Sequence, residues 1–283
     1  MAKLIFGCGY LGLRVARLWL AAGETVFAVT RSAERGRELA AAGVRPIIGD
    51  ILAETQLPLP QEVRTVLFAV GHDRGIRSIH ETFVRGLAHA ILWMPNSIDR
   101  FLFISSTGVY GQVTGQEVDE DSPCEPTREG GKASLAAERL LQGSRFDSQA
   151  IILRLAGLYG PGRIPRSADV IAGRPIDAPA RGWLNLIHVE DAARIALLAE
   201  ERSKAPRTYV VSDGVPVERA EYYAELARLL GAPPPRFVEP AADSPAVQRA
   251  GSDKRVNPRR MLAELQPRLL YPDYRAGLKG IVG

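Results

Sequence analysis

Apolar residues near the start of the chain alternate between two rhythms. Leu4-Ile5-Phe6 and Thr25 to Val29 are short continuous runs, as in buried strands, while Leu11, Val15, Leu18 and Trp19 between them recur at helical spacing until Ala21-Ala22-Gly23 ends the pattern. A second helix is predicted from Ser32, a suitable N-cap, to Ala42, with Gly43 as its stop. Val44 to Ile48 follows as a third strand ending at Gly49-Asp50-Ile51. Pro58 and Pro60 break the chain before Val63 to Val70, an apolar run fit for a parallel strand covered on both faces. A long helix over about Ser78 to Trp93 and a strand over Arg100 to Ser105 continue the alternation, which predicts an α/β fold built on a doubly wound parallel sheet of Rossmann type.

The first turn of that pattern carries chemistry. Gly7-Cys8-Gly9-Tyr10-Leu11-Gly12 has the GxGxxG spacing and lies between a strand and a helix, with a second strand following. Gly7 allows the sharp turn, Gly9 lets backbone approach a pyrophosphate, and Gly12 lets the helix pack on the sheet. The N–H groups at the helix start face the same phosphates, so Tyr10 and Leu11 join the glycines as candidate dinucleotide contacts. An ordinary glycine turn is the plain alternative, and the flanking elements weigh against it. At the end of the second strand a carboxylate would select NAD, yet Thr30-Arg31-Ser32 stands there. The Arg31 fork and the Ser32 hydroxyl suit a 2′-phosphate, which favours NADP over NAD. The competing reading makes Arg31 a solvated residue, as Glu34 and Arg35 beside it are by type.

Further strand ends add candidates. Asp50, with Ile51, can meet the adenine amino group, or Asp50 simply forms the turn. Ala69-Val70-Gly71 are small enough to leave room for a cofactor, and His72 and Asp73 fall at the carboxyl edge of the sheet, where open α/β folds bind ligands. Ser105-Ser106-Thr107 then places three hydroxyls at the end of a central strand, suited to holding a carbonyl or alcohol oxygen.

The 283 residues, 46% hydrophobic and 24% charged, are enough to bury a full core. The net charge of +4 is spread without a basic block or interleaved aromatics, which argues against nucleic acid as a partner. Cys8 and Cys124 form neither a disulfide framework nor a metal-ligand pair, so no metal is expected and a reducing, cytoplasmic setting fits. No run approaches the ~18 apolar residues of a membrane span, and the apolar start lacks the basic leader of a signal peptide.

Several motifs in order resemble the extended branch of the short-chain dehydrogenase/reductases, the NAD-dependent epimerase/dehydratase group. They are the glycine loop, Gly49-Asp50-Ile51, Ser105 to Gly111, Leu158-Tyr159-Gly160-Pro161-Gly162, His188-Val189-Glu190-Asp191 and Tyr209 to Gly214. The resemblance makes Ser106, three places before Val109, the counterpart of the family's catalytic Ser/Thr, with Thr107 beside it. Arg154 opens the segment leading to the Tyr159–Gly162 turn, which in relatives passes beside the nicotinamide and substrate. The resemblance also implies a small-molecule substrate and a helix-mediated homodimer.

The departures are as informative. The family's loop is usually GxxGxxG, and its Tyr followed four residues later by Lys is missing. Leu135-Ala136-Ala137-Glu138 normally follows the catalytic Lys, and in that register Ser134 occupies the Lys position and Gly130 the Tyr position. Lys132 is two residues early, roughly 200° around a helix. It reaches a cofactor or substrate only if Gly130-Gly131 starts the helix irregularly, and is otherwise solvated. Tyr110 and Tyr159 lie at positions with other duties.

By the same resemblance, Trp183 to Ile187, the helix Val189 to Arg202 and the strand Arg207 to Val211 return to the N-terminal sheet. Residues 1–155 with 183–212 then form the dinucleotide-binding domain, and 156–182 with 213–283 a smaller C-terminal substrate domain. Glu218 to Leu230 reads as an amphipathic helix there, with Tyr222, Leu226 and Leu229 on one stripe. Ser252 to Asn257 is either a basic wall for an anionic substrate or a hinge with surface charges. Two functions follow. One is an NADP-dependent oxidoreductase, epimerase or dehydratase for a small carbonyl, alcohol or nucleotide-sugar-like compound, in which Ser106 and Thr107 hold the reacting oxygen and water, Lys132 or His72 replaces the missing Tyr. The other is an NADP-binding sensor without turnover.

Overall fold

The computed structural model describes residues 1–72, 77–239 and 252–283; Asp73 lies outside them. The chain opens with β1 (Ala2–Phe6), α1 (Gly12–Ala21), β2 (Thr25–Thr30), α2 (Ala33–Ala41), β3 (Arg45–Ile48) and β4 (Val63–Phe68). Then come α3 (Gly86–Trp93), β5 (Arg100–Ser106) and α4 (Glu129–Gln142), followed by the strands Ala150–Leu155 and Arg207–Val211. These seven strands form one parallel sheet in the order Arg207–Val211, Ala150–Leu155, β5, β4, β1, β2, β3. The strand order reverses between β1 and β4, and that is where an open α/β sheet leaves its crevice.

Apolar runs without polar interruption still divide between the two faces, because successive strand residues point opposite ways. Ile5, Ala28, Leu67, Leu102, Ile151 and Leu153 pack with α1 and the helix Val189–Arg202 on one side. Leu4, Phe6, Val66, Phe68, Phe101 and Phe103 pack with α3 and α4 on the other. No helix among the described residues is long and apolar enough to cross a membrane.

Three elements differ from the sequence expectation. The helix predicted from Ser78 begins with a π-helical turn, Glu81–Arg85, before α3 proper. Such widened turns gather at functional sites, and this one turns Thr82 and Phe83 toward the cleft described below. The stretch Trp183 to Ile187 does not enter the main sheet. Trp183–Leu184 pairs antiparallel with Val217–Glu218, and Leu186–His188 pairs parallel with Gly157–Tyr159. Arg207–Val211 already fills the edge beside Ala150–Leu155, and Asn185 is drawn away, its side chain donating to Lys254 O and accepting from Val256 N at 2.8 Å each. Within the Ser252 to Asn257 segment, Arg255 is exposed, but Lys254 offers its charge neither to a basic wall for an anionic substrate nor to the surface of a hinge. Lys254–Val256 pairs with Gln116–Val118, and Lys254 Nζ is buried on Tyr110 O at 2.9 Å and Ser252 Oγ at 2.6 Å.

A third apolar cluster joins Tyr159, Val170, Ile176, Leu186, Val217, Tyr222, Leu226, Tyr274 and Leu278. Asp213 is buried near Tyr159, Asp191 and Asp273, with Oδ1 accepting from Val215 N at 2.9 Å and Oδ2 without a hydrogen-bond partner among the described residues. Burial, reinforced by Asp273 and Asp191, pushes its carboxyl up to about 7. The unfolded chain releases this proton near the ordinary value of 3.8, so the contribution of Asp213 to stability is full below that pH and falls as pH rises toward 7, by up to about 1.4 kcal/mol per pH unit. Asp213→Asn keeps the acceptor for Val215 N and has no proton to release. Urea melts from pH 4 to 8 are expected to show a shallower decline for the variant and a clear gain over the parent at pH 8; coincident profiles would refute this.

Candidate functional site

At the carboxyl ends of β1, β2, β4 and β5 lies a cleft of about 480 Å3. Its floor is the turn after β1. Gly7 has φ +90°, and a Cβ there would come within 2.4 Å of Ala69 O. Gly12 opens α1 against the same turn, where a Cβ would meet Gly7 O at 2.4 Å. Gly9 is different: a Cβ would meet nothing within 4 Å and would only take up space in front of the loop. The residue at the N-cap of α1, Leu11, makes no side-chain capping bond, and the first turn holds no acidic residue. The start of α1 is therefore open to an external anion.

Gly7, Gly9, Tyr10, Leu11, Arg31, Asp50, Ile51, Ala69, Val70, Gly71 and Ser106 line the cleft, whereas Gly12 supports it from behind. Ser32, Thr107 and Lys132 are not among its lining residues. Ser32 is the N-cap of α2, its Oγ accepting from Arg35 N at 3.2 Å. Thr107 opens the 3-10 turn Thr107–Val109. Lys132 is exposed and paired with Glu129 at 2.9 Å. The helix does not start late: α4 begins at Glu129, and Gly131 is pressed so closely on Gly108 that a Cβ would lie 2.1 Å from Gly108 O. That contact fixes the register, and the residue turned to the cleft is the buried Ser134. His72 is not a lining residue either; its Nε2 lies 2.8 Å from Arg77 O.

Other residues reach the cleft that type and spacing did not single out. Arg35, expected at the surface, extends from the first turn of α2 to Cys8 O at 3.1 Å and also pairs with Glu38. Its position three residues past the Ser32 cap was the available signal. Arg77 meets Asp50 Oδ2 at 3.2 Å, while Asp50 Oδ1 accepts from Leu52 N at 2.9 Å, so Asp50 both shapes its turn and faces the cleft. Arg163 comes from beyond the Gly160-Pro161-Gly162 turn. The described lining thus carries four guanidinium groups and one carboxylate.

At the other end of the cleft, Ser106 Oγ accepts from Gly108 N at 3.0 Å, leaving its proton to donate. Behind it a buried network fixes the strand end. Glu138 is 1% exposed, accepts from Ser105 Oγ and pairs with Arg154 at 2.7 Å, and Arg154 Nη1 donates to Tyr110 Oη at 2.8 Å. Burial raises the Tyr110 and Tyr159 hydroxyls well above the ordinary tyrosine range, so both stay protonated, and neither lines the cleft. Among the described residues no group of His, Cys, Asp and Glu is arranged to hold a metal.

Residues 4–212 match the family model described as the NAD dependent epimerase/dehydratase family. The chain is similar to Protein YeeZ of Escherichia coli (strain K12), 32% identical over 206 residues covering 72% of this chain and 67% of that protein. It is also similar to the 3-diazoavenalumate denitrifying reductase of a Streptomyces species, 30% identical over 270 residues covering 87% and 86%. Among solved structures, a conserved protein of unknown function from Silicibacter pomeroyi DSS superposes with a TM-score of 0.84 at 29% identity, covering 99% of this chain and 97% of that one.

Proposed function

Because the chain belongs to the NAD-dependent epimerase/dehydratase family, we propose that it is an NADP-dependent oxidoreductase acting on a small carbonyl or similarly reducible compound. The observation that carries the NADP reading is the charge of the cleft, four guanidiniums against one carboxylate. NADP brings a 2′-phosphate in addition to the pyrophosphate that NAD also has. Arg31 and Arg35, at the end of β2 and the start of α2, are the residues to hold that extra phosphate. The Gly7–Gly12 loop and the open start of α1 suit the pyrophosphate, and the space in front of Gly9 is what a close approach requires. Asp50 and Ile51 flank the adenine side, and Ala69 to Gly71 leave room for the rest.

When bound, the nicotinamide supplies a hydride donor or acceptor. The chain's own contribution is to orient the substrate oxygen through the Ser106 hydroxyl and to keep that strand end rigid through Glu138 and Arg154. Similarity to a named reductase over 86% of that protein's length favours reduction over internal epimerisation. A second reading, an NADP-binding sensor without turnover, is favoured by Ser134 and Gly130 at the positions of the family's Lys and Tyr.

Calorimetric titration with NADPH and NADH, on the parent and on Arg31→Ala and Arg35→Ala, tests the cofactor assignment. The expected result is a preference for NADPH that each substitution weakens by about 1.5–3 kcal/mol, the scale of a hydrogen bond to a charged group, with NADH affinity nearly unchanged. Equal affinity for the two nucleotides would remove the NADP assignment, and binding of neither would remove the function. Consumption of bound NADPH by any member of a carbonyl panel would exclude the sensor.

A further inference from the structure

The turn that follows the strand Gly157–Tyr159 is built against the glycine loop. Arg163 N donates to Gly160 O at 2.9 Å and Gly160 N to Arg163 O at 3.2 Å, closing a tight turn in which Pro161 has its fixed φ and Gly162 sits at φ +73°. Tyr10, between Gly9 and the start of α1, donates its hydroxyl to Pro161 O at 3.1 Å. A Cβ on Gly160 would lie 2.6 Å from Tyr10 Oη and from Val189 Cγ1, so only glycine lets the turn sit this close.

Two guanidiniums then share the Tyr10 ring. Arg14 Cζ lies 4.4 Å from its centroid and Arg163 Cζ 5.4 Å. Their electrostatic situations differ. Arg14 is neutralised by Glu190, with Nε to Oε1 at 2.5 Å, and also donates to Tyr10 O at 2.7 Å. Arg163 has no carboxylate within ion-pair distance among the described residues, and its side chain lines the cleft together with Gly7, Gly9, Tyr10 and Leu11. A cation steered by an aromatic face, without a counter-ion among the described residues and set beside amides that favour anions, is suited to complete an anion site.

We infer that Arg163 is a phosphate-binding residue, closing over the pyrophosphate of a dinucleotide that lies on the Gly7–Gly12 loop, with Tyr10 as the platform that aims it. This rests on the dinucleotide reading above and adds a residue from the opposite wall of the cleft. The glycine loop meets the phosphates from one side through backbone dipoles, and Arg163 meets them from the other with a full charge. The Tyr10–Pro161 bond holds the two walls in fixed relation, so little side-chain freedom is lost when the anion arrives.

The experiment titrates the full chain and the variants Arg163→Ala and Arg163→Lys with NADPH and with adenosine 2′-monophosphate, which has the 2′-phosphate but no pyrophosphate, at low and moderate salt. Arg163→Ala is expected to weaken NADPH about tenfold, to leave adenosine 2′-monophosphate unchanged, and to make the salt dependence of NADPH binding shallower. Arg163→Lys, with the charge but not the fork, should fall between. The inference is overturned if Arg163→Ala binds NADPH as the parent does, or if it loses both ligands equally. If the parent binds neither NADPH nor NADH, the dinucleotide reading itself falls, an outcome distinct from a silent Arg163 on a parent that binds.

Discussion

Replacing Arg154 by Met is expected to lower the stability of the folded chain by about 3–5 kcal/mol, the cost of leaving a buried charge without its partner. Glu138 is 1% exposed and its carboxylate is held by Arg154 and by Ser105 Oγ. Water cannot replace the guanidinium at that depth, so the carboxylate is left with an uncompensated charge. The same substitution frees Tyr110 Oη from its bond to Arg154 Nη1. Urea denaturation at neutral pH measures the loss. The double variant Glu138→Gln with Arg154→Met should recover most of it, because a buried pair contributes little beyond what its own desolvation takes away. Equal losses in the single and double variants would show that packing, not charge, holds the site.

The second large effect concerns the first glycine of the loop. Gly7→Ala is expected to destabilise the fold by about 3 kcal/mol or more: φ +90° alone costs about 1–2 kcal/mol for a residue with a Cβ, and the overlap with Ala69 O adds to it. The clash falls where β1 and β4 leave the sheet side by side, with Ala69 N donating to Phe6 O at 2.8 Å, so relief would part the two strand ends. Gly9→Ala is the contrast. Its Cβ meets no protein atom within 4 Å, so the thermal midpoint should hardly move, while a nucleotide at that loop should bind at least tenfold more weakly. Thermal melts and NADPH titrations of the two variants separate the scaffold role from the binding role. A stable Gly7→Ala would refute the close-packing account.

These results mark what a sequence can and cannot convey. The unit from β1 through β2 was legible because each of its signals is local: an apolar run, a glycine spacing, a helical stripe. The register of α4 came from the resemblance of Leu135-Ala136-Ala137-Glu138 to the family's segment, and the roughly 200° between Lys132 and the Ser134 position followed from helix geometry. The alternative in which the helix slipped was open until the contact of Gly131 with Gly108 closed it. Arg35, Arg77 and Arg163 escaped notice because an arginine's type says surface, and only the path of the backbone decides which ones bend into a cleft. The pairing of Lys254–Val256 with Gln116–Val118 was out of reach, since it joins short segments far apart in the chain whose composition prefers no partner. The diversion of Trp183 to Ile187 follows from that pairing through Asn185.

The lining of the cleft divides at one point along the chain. The lining from Phe6 to Gly71 comes from the glycine loop, the three strand ends beside it and Arg35 in the first turn of α2, whereas the facing residues, from Arg77 to Arg163, are drawn from several later segments. On the dinucleotide reading, one uninterrupted stretch therefore supplies most of the grip, and the later segments supply Arg163 and the groups that face the reacting end. Substitutions among the facing residues other than Arg163 should therefore change what meets the reacting end while leaving the handle in place.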